Sequence, residues 1–249
     1  MIKLENFEVM GWEHAIRGMR NPMNSWENSD STPPMNCVTC GVMRSADMPR
    51  EQKDATCHYC RKYEGTIGPN DHALMMKLVD GGPVHAKFRR MITVYVDITA
   101  PLYWWKEFDT YKVGTVANSC STMHKIHEKE FTLEDFSTEH LMNDEAFTFP
   151  LGGGWRGLDA IELFNANIEA LNNARTRFLT TNDKKYWWQM IQLLPSSYNQ
   201  KRTVMLSYEV LANMYTWRKL HKLDEWRTFC NWIEELPYSE IITGGLEGE

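Results

Sequence analysis

The segment spanning residues 88–125 constrains the fold more than any other part of the chain. Residues 88–99 alternate apolar with polar side chains and are rich in β-branched residues, which predicts a strand. Pro101 follows, and aromatic residues then recur at helical spacing, so we expect a helix over residues 104–112. A small polar run, residues 118–122, comes soon after. A strand that leads into an aromatic helix and a polar run is typical of a ligand pocket.

The other hydrophobic patterns predict a few strands early in the chain and helices later. Residues 2–9 alternate as a half-buried strand does, and Thr132 is expected to cap a short helix over residues 131–136. Helical patterns cover residues 12–19, 72–79, 158–171, 184–193, 201–220 and 224–235. This order predicts a single α+β domain over residues 1–249, with an antiparallel or mixed sheet packed with long helices.

The composition narrows the class of protein. Among 249 residues, 43% are hydrophobic and 24% are charged, as in globular proteins. The net charge of -6 argues against a general nucleic-acid surface, which is normally basic, but leaves room for a free nucleotide. The chain lacks both a membrane-spanning apolar window and the apolar core of a signal peptide near its start. We therefore expect a cytoplasmic protein without a membrane partner, whose cysteines stay reduced.

Four cysteines form two pairs with the spacing of a structural zinc site. The pairs are Cys37 with Cys40 and Cys57 with Cys60. Two residues between the members of a pair let both sulfurs face one ion, and four thiolates close the tetrahedral shell of Zn²⁺. We expect a zinc-knuckle insert over residues 35–64, acting as a staple or a protein contact. Two local disulfides or an iron centre are the alternatives.

With these elements laid out, the chain resembles the flavin-dependent thymidylate synthase family, in order and spacing, over most of its length outside the cysteine insert. That family carries the motif Arg-His-Arg-x-x-Ser-x-Asn-Glu-x-Ser-x-Arg. One gapless fit sets Tyr111, Lys112 and Val113 on Arg-His-Arg, with Asn118 and Ser121 matching the motif. A second fit starts two residues earlier, at Asp109. The sequence alone leaves both fits open.

The C-terminal half resembles the same family. Leu194-Pro195 precedes the expected long helix, Asn213 falls on a family asparagine, and Arg218 falls on the arginine that activates the pyrimidine. Ser207 and Glu209 replace an Asn-x-Arg, and Ile191 stands where a phosphate-binding arginine is expected. These replacements remove guanidinium groups that bind phosphate in the family. Each lost charge-assisted hydrogen bond removes about 1.5 to 3 kcal/mol of binding free energy, so we do not expect the usual mode of phosphate binding.

The resemblance implies that FAD and a pyrimidine nucleotide are the ligands. Reduced flavin would supply hydride to a deoxyuridylate that carries a one-carbon unit, in a homotetramer with sites between subunits. The residues it implies are catalytic Arg218 and Ser121, and cofactor-binding or nucleotide-binding Asn118, Asn213, Tyr111, Lys112 and Lys106. The two lysines would replace missing arginines.

Several residues also have a structural interpretation. Arg218 is alternatively a surface arginine paired with Asp224 or Glu225, and Asn118 and Ser121 are alternatively capping residues. One of the adjacent tryptophans, Trp104 and Trp105, is expected in the core, which leaves at most one to stack on a ring. The alternative function is a catalytically silent scaffold that binds a nucleotide or a protein, with the zinc insert as its contact surface.

Overall fold

A computed structural model of the chain describes residues 2–32, 66–144, 148 and 157–244. The contacts within the chain group it into two compact units. The first unit contains Met1–Glu8, Tyr95–Leu206 and Trp217–Trp232. The second contains Val9–Val94, Ser207–Thr216 and Ile233–Glu249. The four cysteines of the expected zinc insert lie outside the described residues.

Four strands form one sheet, in the order β1, β2, β4, β3. They are β1 (Lys3–Met10), β2 (Thr93–Pro101), β3 (Thr115–Ser119) and β4 (Asn199–Ser207). Strand β3 pairs antiparallel with β4, and Asn118 lies opposite Thr203. Helices account for most of the remaining described elements, so the α+β class predicted from the sequence is confirmed.

Strand β2 leads directly into a short aromatic helix, α3 (Leu102–Phe108). The strand buries alternate residues, with Val96, Ile98 and Ala100 facing the core. Pro101 occupies the N-cap position, because its fixed φ suits a helix start. The junction confirms the predicted order. The predicted bounds shift, because residues 86–91 form a 3-10 turn and the helix ends before residue 109.

The helix predicted over residues 201–220 is wrong in its first part. Strand β4 covers Asn199–Ser207 and helix α6 covers only Tyr208–Arg218. Val204 and Leu206 are buried two residues apart, as in a strand, while their polar neighbours are at least partly exposed. The residues predicted as the start of a helix are therefore the strand that pairs with β3.

Two capped helices enclose one core of the first unit. Helix α4 (Ala160–Thr181) begins at a capping box, in which Glu162 N donates to the Asp159 carboxylate and Asp159 N donates to Glu162. Helix α5 (Lys184–Leu193) begins at Asp183, which accepts a hydrogen bond from Lys185 N. The core between them is apolar and consists of Ile126, Phe131, Phe136, Ile168, Leu171, Ala174 and Met190.

The remaining helices are α1 (Trp12–Arg20), α2 (Pro69–Asp80), α7 (Asp224–Glu234) and α8 (Glu240–Thr243). A 3-10 turn covers Leu133–Asp135, and its capping box joins Thr132 and Asp135, which confirms the cap predicted there. None of the described helices combines the length and the hydropathy needed to cross a bilayer.

The two segments on either side of residues 33–65 are joined by hydrogen bonds in the second unit. Thr32 N donates to Thr66 O at 3.0 Å, and Gly68 N donates to Ser31 Oγ at 2.9 Å. The fully buried Asp71 carboxylate accepts from Arg20 Nε at 2.5 Å and also from Ser31 Oγ. The described residues on the two sides of this gap, up to Thr32 and from Thr66, are thus joined by hydrogen bonds, and we call this junction the neck.

Candidate functional site

A half-buried arginine cluster lies in the first unit, at the end of α6. Arg218 Nε donates to Tyr111 OH at 2.9 Å, and Arg218 Nη1 donates to Glu107 Oε2 at 2.7 Å. Its guanidinium also lies over the Trp226 ring, 4.8 Å from the centroid. The Arg218 side chain is only 19% exposed. We call Arg218, Glu107, Tyr111, Trp226 and His221 the Arg218 cluster.

Glu107 is the acceptor around which the Arg218 cluster is built. Its Oε2 also accepts from Trp226 Nε1 at 3.1 Å and lies 3.4 Å from His221 Nε2. Two donors on one carboxylate oxygen fix both the arginine and the indole, since charge-assisted hydrogen bonds are strongly oriented. Nη2 of Arg218 makes no hydrogen bond with any described residue, so it is available to donate to a ligand.

The structure gives Arg218 a different partner from the alternative ones considered in the sequence analysis, and it buries both members of the tryptophan pair. Asp224 binds His140 and Glu225 binds Tyr103, whereas Arg218 binds Glu107. Trp104 and Trp105 are both buried and pack edge to face with each other, 4.9 Å between centroids. The prediction that one of the two lies in the core is confirmed, and because the other is buried as well, neither indole is exposed to stack on a ligand ring.

The structure brings Tyr111 and Arg218 together, whereas no contact between Arg218 and the other predicted residues is seen in the described part of the chain. Asn118, on β3, and Ser121, Lys106 and Lys112 are exposed, and among the described residues none of them bonds to Arg218. Ser121 Oγ accepts from His124 N at 2.9 Å and Met123 N at 3.3 Å, as a capping residue does. Its own hydroxyl proton stays available. Asn213 is exposed and belongs to the second unit.

A second polar cluster in the first unit has no counterpart in the sequence analysis. Tyr103 OH donates a short hydrogen bond to the buried Glu225 and lies 3.1 Å from Ser137 Oγ. Burial and the Glu225 carboxylate together raise the pKa of Tyr103 to about 12. No spacing rule connects these residues, because they come from α3, a loop and α7.

A third polar cluster joins the strands β1, β2 and β4. Asp97 on β2 accepts from Thr203 Oγ1 at 2.7 Å and from Asn6 Nδ2 at 3.1 Å, and Lys201 Nζ lies 3.1 Å away. These hydrogen bonds, that of Thr203 first, lower the pKa of Asp97 to about 2. The cluster fixes the strand order through side chains as well as through the backbone.

Among the described residues, no group of histidine, cysteine, aspartate or glutamate side chains is arranged to hold a metal ion. That search does not bear on Cys37, Cys40, Cys57 and Cys60, which lie outside the described residues. Their role as zinc ligands therefore stays a prediction.

Comparison with solved structures identifies the fold. Thymidylate Synthase X (ThyX) from Helicobacter pylori, solved with FAD and dUMP, matches with a TM-score of 0.61 and 15% identity, covering 100% of both chains. A UMP/dUMP methylase, PolB from Streptomyces cacaoi, bound with 5-Br dUMP, matches with a TM-score of 0.57 and 10% identity. That match covers 97% of this chain and 93% of PolB. The chain has the ThyX fold.

At the sequence level the search against protein-family models finds no match, and neither does the search against curated proteins. The low identity agrees with the losses in the ThyX-like motifs, where only Asn118 and Ser121 match in the first gapless fit. The ThyX fold places Tyr111 and Arg218 in contact although they are far apart in sequence. The fold is thus better retained than the residues of the motif.

Proposed function

We propose that the chain is a divergent flavin-dependent enzyme that adds a one-carbon unit to deoxyuridylate. The observation that carries this proposal is the full-length match of the fold to a synthase solved with FAD and dUMP. The similar methylase bound with 5-Br dUMP supports the same ligand class. Methylation is the leading reaction, and transfer of another one-carbon group to the pyrimidine is its closest variant.

The side chains of the described residues fit such ligands chemically. Lys106 and Lys112 carry exposed ammonium groups, which suit phosphates where the family arginines are missing. Asn118 offers an exposed amide, and Ser121 a hydroxyl proton. When bound, reduced flavin would supply the hydride. The chain itself would hold the nucleotide and its phosphates.

Arg218 would polarise the pyrimidine in this proposal. Glu107 offsets much of its charge, so Arg218 would act mainly through a hydrogen bond from a fixed position. Glu107, Tyr111 and Trp226 hold the guanidinium in that position before any ligand arrives. A preorganised donor of this kind needs little rearrangement when the ligand binds.

The test begins with an absorbance spectrum of the purified chain and titrations with FAD and dUMP. We expect flavin binding, dUMP binding, and a loss of dUMP affinity of about tenfold in Arg218→Gln, as for one lost charge-assisted hydrogen bond. Arg227→Gln is the matched control, since Arg227 lies on α7, is half exposed and pairs with Asp224. Absence of bound flavin together with no binding of FAD or dUMP would contradict the proposal.

The second candidate function is a catalytically silent scaffold that binds a nucleotide or a protein. The observation that favours it is the pairing of Arg218 with Glu107. The carboxylate offsets the positive charge of Arg218, which is the strongest candidate among the cations for acting on a ligand. Single-turnover reactions of labelled dUMP with reduced flavin and a one-carbon donor separate the two functions. A product of increased mass supports the enzyme. Tight binding without any product supports the scaffold.

We further propose that Cys37, Cys40, Cys57 and Cys60 hold a structural Zn²⁺ in an insert. The neck that joins Thr32 to Thr66 supports an insertion at this place. Metal analysis should give about one zinc per chain, and Cys37→Ser with Cys40→Ser should abolish it. Retention of a full equivalent of zinc in that variant would rule these ligands out.

We also propose that the chain forms a homotetramer and that it is cytoplasmic. The ThyX-like fold supports the tetramer by resemblance. Light scattering of the purified chain tests the oligomeric state directly, and a monomer at micromolar concentration would contradict the tetramer.

A further inference from the structure

The start of helix α5, in the first unit, carries a surface that is both aromatic and basic. Lys184, Lys185 and Trp188 are exposed there, and Trp188 keeps 43% of its surface open to solvent. Tyr186 is partly exposed beside them. The exposed Arg177, near the end of α4, lies over the Tyr186 ring, 5.7 Å from its centroid. We call these five residues the α5 surface.

The ammonium groups of the α5 surface lie close to aromatic rings. Lys184 Nζ is 5.8 Å from the centroid of the Trp187 ring and equally far from that of Trp188. Lys185 Nζ is 4.8 Å from the centroid of the Tyr186 ring. Such pairs attract each other, because the face of an aromatic ring is negative. Cations and rings therefore occupy one surface together.

The exposed Trp188 ring has a fixed support beneath it. It packs edge to face on Trp187, with 4.8 Å between the two centroids. Trp187 in turn packs against the apolar core between α4 and α5, and its Nε1 donates to Met123 O at 3.0 Å. An indole held in this way needs little ordering when a partner binds, which lowers the entropic cost of binding.

The segment around the α5 surface is locally basic. Residues 175–188 contain four arginine or lysine residues and one carboxylate, Asp183, whose Oδ2 lies 2.9 Å from Lys185 Nζ. Arg177 and Lys184 form no ion pair with any described residue. A hydrogen bond from Arg177 and the charge of Lys185 lower the pKa of Tyr186, as a positive potential does. The segment thus attracts anions although the whole chain is acidic.

The stability of the free chain does not explain this arrangement. A helix is positive at its N-terminus, so acidic residues stabilise its first turn and basic residues destabilise it. The first turn of α5 nevertheless contains Lys184 and Lys185 and no acidic residue. Trp188 also leaves much of a large apolar ring in water. These residues would become favourable if an anionic partner with flat rings bound to them.

The combination of rings and cations selects the class of partner. An anionic bilayer would bind the cations, but α5 turns its apolar side to the core, where Met190 is fully buried, so few apolar groups remain to insert. A duplex hides the faces of its bases in its own stack. A single strand offers exposed base faces for the aromatic rings and phosphates for the cations.

We propose that the α5 surface binds single-stranded nucleic acid, with Trp188 stacking on a base and Lys184 and Arg177 contacting phosphates. DNA and RNA share these groups, so the recognition chemistry is the same for both. The net charge of -6 argues against a general nucleic-acid surface, but this surface is local. The inference goes beyond the proposed function and does not depend on it, since no residue of the Arg218 cluster takes part.

The test measures fluorescence anisotropy of labelled oligonucleotides with the full chain. The probes are an oligothymidylate, an oligouridylate, an abasic oligonucleotide of the same length and a duplex. We expect at least one of the two single strands to bind about tenfold more tightly than the abasic strand and the duplex, as for one stacked base. The tighter single strand shows whether DNA or RNA is preferred.

Two variants assign the binding to the α5 surface. Trp188→Ala should weaken binding of the single strand about tenfold, whereas Trp217→Ala, the loss of an indole that is 72% exposed on α6, should not. Lys184→Gln should lower the slope of log affinity against log salt by about 0.7, whereas the exposed Lys222→Gln should not. Circular dichroism verifies that each variant is folded.

Several results would overturn the inference. Equal affinity for the single strands, the abasic strand and the duplex would do so, as would unchanged binding in Trp188→Ala. Failure of both single strands to bind at low salt would also do so, whether or not vesicles of phosphatidylcholine and phosphatidylserine bind instead. Displacement of the oligonucleotide by excess dUMP would place it in the nucleotide site.

The same measurements distinguish this inference from the proposed function. Binding of a single strand through Trp188, in a chain that binds neither FAD nor dUMP, supports the inference and contradicts the flavin-dependent reaction. Binding of FAD and dUMP without binding of either single strand overturns the inference alone.

Discussion

Arg218 Nη1 donates to Glu107 Oε2 at 2.7 Å, and the Trp226 indole donates to the same oxygen at 3.1 Å. The carboxylate therefore orients a cation and an aromatic ring that come from two different helices. Because Glu107 is one third exposed, solvent weakens the charge interaction but leaves the orientation of both donors intact.

Replacing Glu107 with glutamine should destabilise the fold. The amide lacks the negative charge that Arg218 binds, and its oxygen is a weaker acceptor for Trp226. We expect the free energy of unfolding to fall by about 1 to 2 kcal/mol, the range for hydrogen bonds to charged groups at a partly exposed site. Urea denaturation measures it.

Asp109→Asn is the matched control for that change. Asp109 also binds an arginine, Arg202, at 2.7 Å, but is about half exposed. Its loss should therefore cost less than about 1 kcal/mol. An equal effect of the two substitutions would mean that Glu107 is an ordinary surface partner.

Tyr103→Phe should remove a donor from a buried carboxylate. Glu225 then keeps only the longer Ser137 contact among its described hydrogen bonds, so we expect a loss of about 1 to 3 kcal/mol in the free energy of unfolding. The native chain should also lose stability as the pH rises from about 10 to about 12, because the folded state holds the Tyr103 proton more tightly than the unfolded state does.

Below pH 10 that contribution of Tyr103 is fully present. Unfolding curves between pH 8 and 12 check the prediction, and Tyr103→Phe should show a smaller decline over the alkaline range. Ser137→Ala, which leaves the Tyr103 to Glu225 contact in place, is the control. A decline of the same size in Tyr103→Phe would assign it to other groups.

The strand β2 and the helix after it could be predicted because their signals are local. Alternation of Val94, Val96 and Ile98, followed by Pro101, identifies the junction within one short window. The strand β4 could not, because Val204, Tyr208 and Leu211 also recur at helical spacing and a helix does follow. Periodicity alone leaves such a run ambiguous.

Only some residues of the candidate site could be predicted, because its contacts join residues that are far apart in sequence. Arg218 and Tyr111 follow from the resemblance, but Glu107 is 111 residues from Arg218 in sequence, and no spacing rule joins them. Likewise, nothing local distinguishes buried Arg89 from exposed Arg90, since the irregular 3-10 turn decides which of the two faces inward. Contacts between distant segments require the fold.

Asp97→Asn should change the acid dependence of stability. Hydrogen bonds hold the pKa of Asp97 at about 2, below its ordinary value, so the folded state favours the carboxylate. This stabilisation is present above about pH 4 and is lost as the pH falls towards 2. Urea unfolding at pH 2 to 5 should show that the stability of the variant declines less steeply with acid.

Thr203→Val removes the first of these hydrogen bonds and should change the acid dependence of stability in the same direction. An unchanged acid dependence in both variants would contradict the assignment of this effect to Asp97.

Asp71→Asn should be the most damaging single change at the neck. Burial alone would raise the pKa of Asp71, yet hydrogen bonds from Ser31, Ser29 and Arg20 bring it below its ordinary value, so the buried group is a carboxylate paired with a guanidinium. Asparagine keeps the shape but leaves the buried Arg20 charge uncompensated, and we expect a loss of about 3 kcal/mol in the free energy of unfolding.

The double change Arg20→Met with Asp71→Leu should recover part of that loss, because neither charge then remains buried alone. Urea denaturation of the three proteins measures the differences, and a single variant within about 0.5 kcal/mol of the native chain would show that the pair does not hold the neck.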